Sequence, residues 1–372
     1  YIVTSGTGSN GATSFSLSGN IAGSSSATIT TASNSSGGAE PETPDSIRFN
    51  APRQYASQNR AVTTKDYEAR VKTIFPNAKS VQVWGGEDNS TPVYGRVYIS
   101  INPKSGVTVT ESNKSDIITQ LKDFNVASIT PVIEDPETTF IQLNVVVKYD
   151  QKATTKAPDT IKSLVQNTIT TYNENNLQQF DQMFRHSKFI ETINKVDTAI
   201  LSNITTVKLH KSFTATTTGT TTYTISFNNA FYNPHSEHNK SAGGIVSSTG
   251  FKINNDSSTN EHFLDDDGAG NIRVYYLSGT TRIYTDSTFG TINYTTGEII
   301  LTSANITSIS NVDGAASTQI RVTTTPSSND IIPVRNQVLE IDTTNSTITG
   351  SVDEIESGSS QAGTTYTTTS SY

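Results

Sequence analysis

"VTTKDYEARVKTIFPNAKSVQVWGGEDNSTPVYGRVYISINP", Val62 to Pro103, changes its hydrophobic period once, and that change decides the fold class. In the first part, Tyr67, Val71 and Ile74 recur at helical spacing on one face. Thr63 is placed to cap this helix, Asp66 three residues on gives a weak capping box, and Pro76 stops it. In the second part, "SVQVW" and "GRVYISI" alternate with period two and read as strands.

The pattern continues outward. Ile117, Ile118, Leu121 and Phe124 predict a second helix around "SDIITQLKDF", and "FIQLNVVVKYD" returns as a strand. Helix, two strands, helix and strand is the order of a split α/β sandwich, with an antiparallel sheet covered on one face, over residues 40–150. Residues 151–211 read as helix, helix, strand. Ile161, Leu164, Val165, Ile169 and Tyr172 share one face. In the next helix Ser187 is the expected N-cap and Phe189, Ile193, Val196 and Ile200 form the stripe, before the strand "ITTVKLHK". From Ser212 the helical period disappears. Short β-type segments separated by Gly, Asn, Asp and Ser/Thr turns predict an all-β domain over 212–350. Residues 351–372 form a polar tail, and 1–39 a Ser/Thr/Gly-rich β segment or linker. The fold class is therefore α+β.

Composition narrows the function classes. Hydrophobic residues make up 33% and charged residues 16% of the 372-residue chain, with 15 Tyr and 14 Phe, which fits strand-rich domains with polar faces. A net charge of −8 and the lack of any dense Lys/Arg run argue against nucleic acid as the partner. There is no Cys, so disulfides and thiolate metal sites are excluded. No apolar run reaches the roughly 18 residues of a membrane helix. The start lacks Met and a signal-peptide pattern, and it reads as the interior of a longer chain.

Motifs that resemble chemistry do not hold up. "GTGSNG", Gly6 to Gly11, matches a dinucleotide fingerprint in letters, but no helix follows it and no acid precedes Glu40, so it reads as a turn. His235 and His238 in "HSEHNK" follow a loop-forming Pro234 and read as solvated. Glu87, Asp88, Glu134, Asp135 and Glu137 sit in turn contexts and offer no acid/base pair for a hydrolase. The sequons at Asn203 and Asn293 are expected by chance in a Ser/Thr-rich chain. "DDDGAGNIRVYY", Asp265 to Tyr276, places Asp265 and Asp267 as the first ligands of a calcium loop. Ala269 and Tyr276 then stand where further ligands are needed, so a hairpin turn is the better reading. No catalytic, cofactor or metal residue is assigned. Should an ion bind, Asp265 and Asp267 would hold it.

Residues Gly37 to Pro103 carry "GGAEPE", "IRFNAP", "QNRAVT", "DYEARV", "VWGGED" and "YGRVYISINP" in order. In that order they resemble the baseplate wedge proteins of T4-like contractile-tailed bacteriophages, within the baseplate J-like family. "DDDGAGNIRVYY", "INYTTGEIIL" and "NDIIPVRNQVLEID" extend the resemblance toward the C-terminus. It implies a structural subunit of the virion tail baseplate, assembled in the bacterial host cytoplasm. Its partners would be its own copies and other wedge subunits, with no cofactor, nucleic acid, membrane insertion or small-molecule substrate. Six wedges would close around a hub and rearrange to release sheath contraction.

Within the signature, Arg48, Arg53 and Arg60 are fork-shaped donors for an interface, or equally for internal bridging. Pro52 favours an extended backbone at Ala51. Tyr55 and Tyr67 are of the type enriched at interface hot spots, although Tyr67 also fits the core stripe of its helix. A surface adhesin or a tail-associated carbohydrate hydrolase are the alternatives. The first needs a secretion signal or anchor upstream, the second paired carboxylates in a cleft.

Overall fold

The computed structural model describes residues 6, 8, 10–16, 19, 35, 38, 40–56, 60–104, 108–238, 240–241, 243–254, 256 and 260–353. Most of the segment 1–39 and the tail 354–372 therefore lie outside the described residues, and the expectations for them with it. Within "GTGSNG", Gly8, Asn10 and Gly11 lie in turns, and Gly6 and Gly11 have φ of 78° and 84°.

The chain divides into two compact units, residues 1–137 with 335–338, and residues 138–334 with 339–372. The first unit holds helices α1 (Pro44–Ala56), α2 (Thr64–Ile74) and α3 (Glu111–Leu121), and strands β1 (Ala78–Gly85), β2 (Arg96–Pro103) and β3 (Thr130–Glu134). The α2 boundary is where the sequence places it. The Thr63 hydroxyl accepts from the Asp66 N–H, and the Asp66 carboxylate accepts from the Thr63 N–H at 2.9 Å, closing the capping box. Tyr67 and Val71 are buried with Ile99, Ile101, Ile117 and Leu121 in one apolar cluster.

Two expectations are corrected in this unit. The sheet, ordered β1-β2-β3, is mixed and not antiparallel: β1 pairs antiparallel with β2, but β3 pairs parallel with β2. The cause is α3, a helical crossover that returns the chain to the end of the sheet from which β2 started. Secondly, the backbone around Pro52 is helical, not extended: α1 runs through Pro52, which only lacks the N–H that Arg48 C=O would otherwise accept.

The second unit contains β4 (Glu137–Tyr149), whose first residue lies in the first unit, then α4 (Pro158–Asn176), α5 (His186–Asn194), β5 (Ile200–Thr214), β6 (Thr221–Ser226), β7 (Ser247–Ser248), β8 (Phe251–Ile253) and β9 (His262–Asp266). It continues with β10 (Asn271–Ser278), β11 (Thr281–Asn293), β12 (Glu298–Ala304), β13 (Ile306–Ile309), β14 (Gln319–Thr324), β15 (Gln337–Ile341), whose first two residues lie in the first unit, and β16 (Thr347–Val352). Among the described residues no helix follows Ser212, as the loss of helical period predicts. The strands nevertheless divide between two sheets. One is seven-stranded, β13-β8-β9-β10-β11-β12-β6. The other is six-stranded, β15-β4-β5-β14-β7, with β16 parallel to β4.

Thus the chain leaves the second sheet after β5, builds all seven strands of the other sheet, and returns as β14 to pair antiparallel with β5 from Gln319–Thr214 to Thr324–Leu209. One apolar cluster runs from Ile141 and Val165 through Phe227 and Ile272 to Ile348 and serves both sheets. Helices α4 and α5 pack on it through Tyr172 and Phe189, with Phe184 from the segment between them, and the three rings lie 5.3–6.3 Å apart.

The α5 N-cap is also corrected. It is Arg185, not Ser187, and its side chain makes no cap bond. The Asp330 carboxylate accepts from the His186 N–H at 2.8 Å instead, and from Arg185 at 3.0 Å. A partner 144 residues away supplies the cap, so local spacing could not find it.

Candidate functional site

The five residues singled out from the sequence occupy different environments. Arg48 is on the exposed surface of α1 and reaches Asp45 at 3.3 Å, a solvated pair that contributes little to stability. Tyr55 is 88% exposed on the same helix. Arg53 also lies in α1, with its side chain outside the described residues. Arg60 is exposed just before Ala61, whose N–H donates to Phe124 O at 2.8 Å. Tyr67 is 1% exposed and belongs to the core. Its hydroxyl has no hydrogen-bond partner among the described residues, and burial pushes its pKa up. Tyr67→Phe is therefore expected to change unfolding free energy by no more than about 1 kcal/mol, in the stabilising direction, as read by urea titration.

"VWGGED" becomes a rigid platform. Trp84 stacks on Tyr98 at 5.8 Å, and its Nε1 donates to Asn89 Oδ1 at 2.8 Å. Gly86 has no room for a side chain, because a Cβ would sit 2.0 Å from Val93 O. The Arg335 guanidinium lies 5.9 Å above the Trp84 ring and donates to Asp88 O at 2.6 Å. Arg335 was not singled out from the sequence. Its one signal was its place in "NDIIPVRNQVLEID". Of the turn carboxylates, Asp135 shares the buried Lys114 ammonium with Glu111 of α3, at 2.8 and 2.7 Å; burial works against the Lys114 charge, but the two carboxylates outweigh it and raise the pKa.

Asp265 and Asp266 end β9, and Asp267 to Gly270 turn the chain into β10. Asp267 accepts from the N–H groups of Ala269 and Asn271 and from Asn271 Nδ2, at 2.7–3.0 Å. Burial opposes its charge, but these bonds hold its carboxyl below the usual range. Gly268 takes φ of 72°, where a side chain would also strike His238. Asp266 accepts from Val246 N–H and Tyr294 O–H, and burial followed by that bond raises the Tyr294 pKa. Asp265, 1% exposed, accepts from Arg273 Nε, Arg282 Nη1 and Tyr284 O–H at 2.7–2.8 Å. Arg273 also donates to Lys240 O, so the loop before β7 is held down on this network. Protein cations and donors fill the positions around these carboxylates, and Asp265 and Asp267 have separate partners.

His235 and His238 place ring nitrogens 3.3 Å apart on an exposed loop. Among the described residues no group of three or more His, Cys, Asp or Glu could hold a metal. Asn203 donates to Ile190 O and Asn194 Oδ1 from a half-buried position, and Asn293 Oδ1 caps its turn.

His210 is buried on β5, stacked on Phe140, with Nε2 2.8 Å from Asp342. Burial works against the Asp342 charge. His210 and the Asn345 N–H and amide outweigh it and leave its carboxyl far below the ordinary 3.8. A folded pKa below the unfolded one gives stability that is fully present above pH 3.8 and lost as pH falls toward the folded value. Melting temperature is therefore expected to fall with acid below about pH 4, and Asp342→Asn should flatten that fall.

With this geometry fixed, residues 63–134 match the family described as baseplate structural protein gp6, C-terminal domain I. Residues 137–212 match its C-terminal domain III. The two matches follow one another along the chain between residues 63 and 212. The boundary between the two matched stretches falls where the first compact unit passes to the second, at Glu137. The second gp6-type stretch ends at residue 212, yet its sheet is completed by β14, β15 and β16 from later in the chain.

The chain is also 28% identical over 217 residues to "Baseplate wedge protein gp6" of Enterobacteria phage T4. That covers 56% of this chain but 32% of the relative, so the chain spans about a third of the protein it matches. Among solved structures, the anti-feeding prophage baseplate gives a TM-score of 0.33 at 13% identity, over 46% of this chain and 38% of that one.

Proposed function

We propose that the chain is a structural subunit of a contractile-tail baseplate wedge. It associates with its own copies and with other wedge proteins in the inner baseplate ring of the virion, assembled in the host cytoplasm. Rearrangement of that ring releases sheath contraction. The observation that carries this reading is the pair of consecutive gp6-type matches, meeting at the boundary between compact units. The surface is in keeping with it: exposed Arg48, Tyr55 and Arg60 in the signature, and aspartates that brace loops and strands.

The test is co-sedimentation of the purified chain with other wedge proteins of the same phage. Formation of a defined complex is expected. A chain that stays monomeric at high concentration and binds none of them would overturn the proposal.

A further inference from the structure

We infer that His235 and His238 form a two-histidine site for a single zinc ion, on the loop fastened to the turn between β9 and β10. The inference goes beyond the wedge reading and does not depend on it, because it concerns one loop of one copy.

In the sequence the pair is only two loop histidines three residues apart. The fold turns their rings toward each other. Glu237 between them takes φ of 62°, a region open to few residues other than Gly. His238 N–H donates to His235 O, and Lys240 N–H to Glu237 O, both at 3.2 Å. Glu237 N–H and Asn233 Nδ2 both donate to Gly268 O, at 3.0 and 3.3 Å, and fasten the loop to the aspartate turn. The Tyr232 ring meets the His238 ring edge-on at 5.5 Å. Backbone bonds thus position the pair, while His235 is exposed and His238 half-buried.

Two independent features point to a metal ion. The first is spacing. His235 Nε2 and His238 Nδ1 lie 3.3 Å apart, with the ring planes at 77°. Zinc–nitrogen bonds of about 2.0–2.1 Å at the tetrahedral angle place two ligating nitrogens about 3.3 Å apart. The right angle of square-planar or octahedral ions would place them about 2.9 Å apart. The second feature is the tautomer. His235 Nδ1 lies 3.1 Å from Ser236 O, to which it donates, so Nε2 keeps the lone pair. Ligating histidines are normally oriented by such a carbonyl acceptor. Without metal, His235 Nε2 accepts from His238 Nδ1–H. Zinc takes the place of that proton, and His238 then carries its N–H on Nε2.

The site has two protein ligands, and water completes the coordination. Among the described residues no group of three or more His, Cys, Asp or Glu could hold a metal, and the Glu237 carboxylate is held by Lys240 at 2.7 Å. Such a site loads and unloads readily, unlike a closed structural zinc centre with four protein ligands. The chain's other three histidines are engaged elsewhere. His186 Nε2 lies 3.1 Å from Thr205 O, while His210 and His262 are 3% and 0% exposed beside Asp342 and Asp256. There is no Cys to compete. A bound ion would close a ring across the turn of Ser236 and Glu237 and hold the loop on Gly268.

The test uses the full chain, freed of metal with a chelator and titrated with Zn²⁺ in a calorimeter. One equivalent is expected to bind with sub-millimolar affinity. His235→Ala and His238→Ala should each weaken binding by at least about 10-fold, since even residues that only orient a ligand contribute that much. Hydrogen exchange supplies a second readout: Zn²⁺ should slow the Glu237 and His238 amides in the parent chain and in neither variant. Both substitutions fall on the exposed loop, so the variants keep the fold. Absence of binding at millimolar Zn²⁺, or binding that survives both substitutions, would overturn the site.

Discussion

Asp265→Ala is expected to lower the stability of the second unit by about 3–5 kcal/mol, because it removes the anion between two guanidinium groups and leaves buried charge without its partner. Asp265 is 1% exposed and Arg273 7% exposed, so solvent cannot take over the lost interaction at Arg273. Arg282 is partly exposed and rehydrates in part, which argues for the lower half of the range. The aromatic rings add to the coupling: Arg273 lies 4.3 Å over Tyr284, and Arg282 lies 4.6 Å over Tyr275. Releasing Asp265 therefore disturbs cation–π contacts as well as three hydrogen bonds.

The reading comes from urea titration together with hydrogen exchange. Loss of protection should be greatest in β9, β10 and the loop of Lys240, which Arg273 holds by its carbonyl. Asp265→Asn keeps the shape and one acceptor and should lose less. A loss below about 1 kcal/mol for the alanine variant would show the network to be solvated in solution.

The second large effect is expected at Phe189→Ala, about 3–5 kcal/mol. Phe189 is fully buried, and its ring lies 5.3 Å from Tyr172 on α4 and 5.4 Å from Phe184. Deleting it leaves a cavity between α5, α4 and the β5 sheet. The neighbouring rings sit on separate elements, so they cannot all move in to fill it. Urea denaturation followed by far-ultraviolet circular dichroism would report the change. A variant as stable as the parent would mean that α5 is not held by this cluster. Because the chain has two compact units, each transition should be fitted separately and not as one two-state event.

These predictions mark how much of the molecule could be read in advance. The α2 helix was legible to its last turn because its signals are local: a stripe at Tyr67 and Val71, a capping box and a proline stop. The aspartate hairpin was legible for the same reason, since Gly268 and Asp267 act within a few residues. The partners of Asp265 were not, because Arg273, Arg282 and Tyr284 become neighbours only through the register of β9, β10 and β11. Among the signature residues, residue type alone could not separate exposed Tyr55 from buried Tyr67. Both are amphipathic, and which face of each helix is covered depends on its neighbours.

By itself, the sequence determined α2, α3, α4 and the strands on either side of Gly95, the lack of cysteine, and the resemblance to baseplate wedge proteins, because each rests on residues close together in the chain. Only the tertiary structure decided the parallel pairing of β3, the Asp330 cap on α5 and the return of β14 to β5. Each of these joins residues far apart in sequence, and their pairing is set by sheet register and shared burial, which no local period encodes.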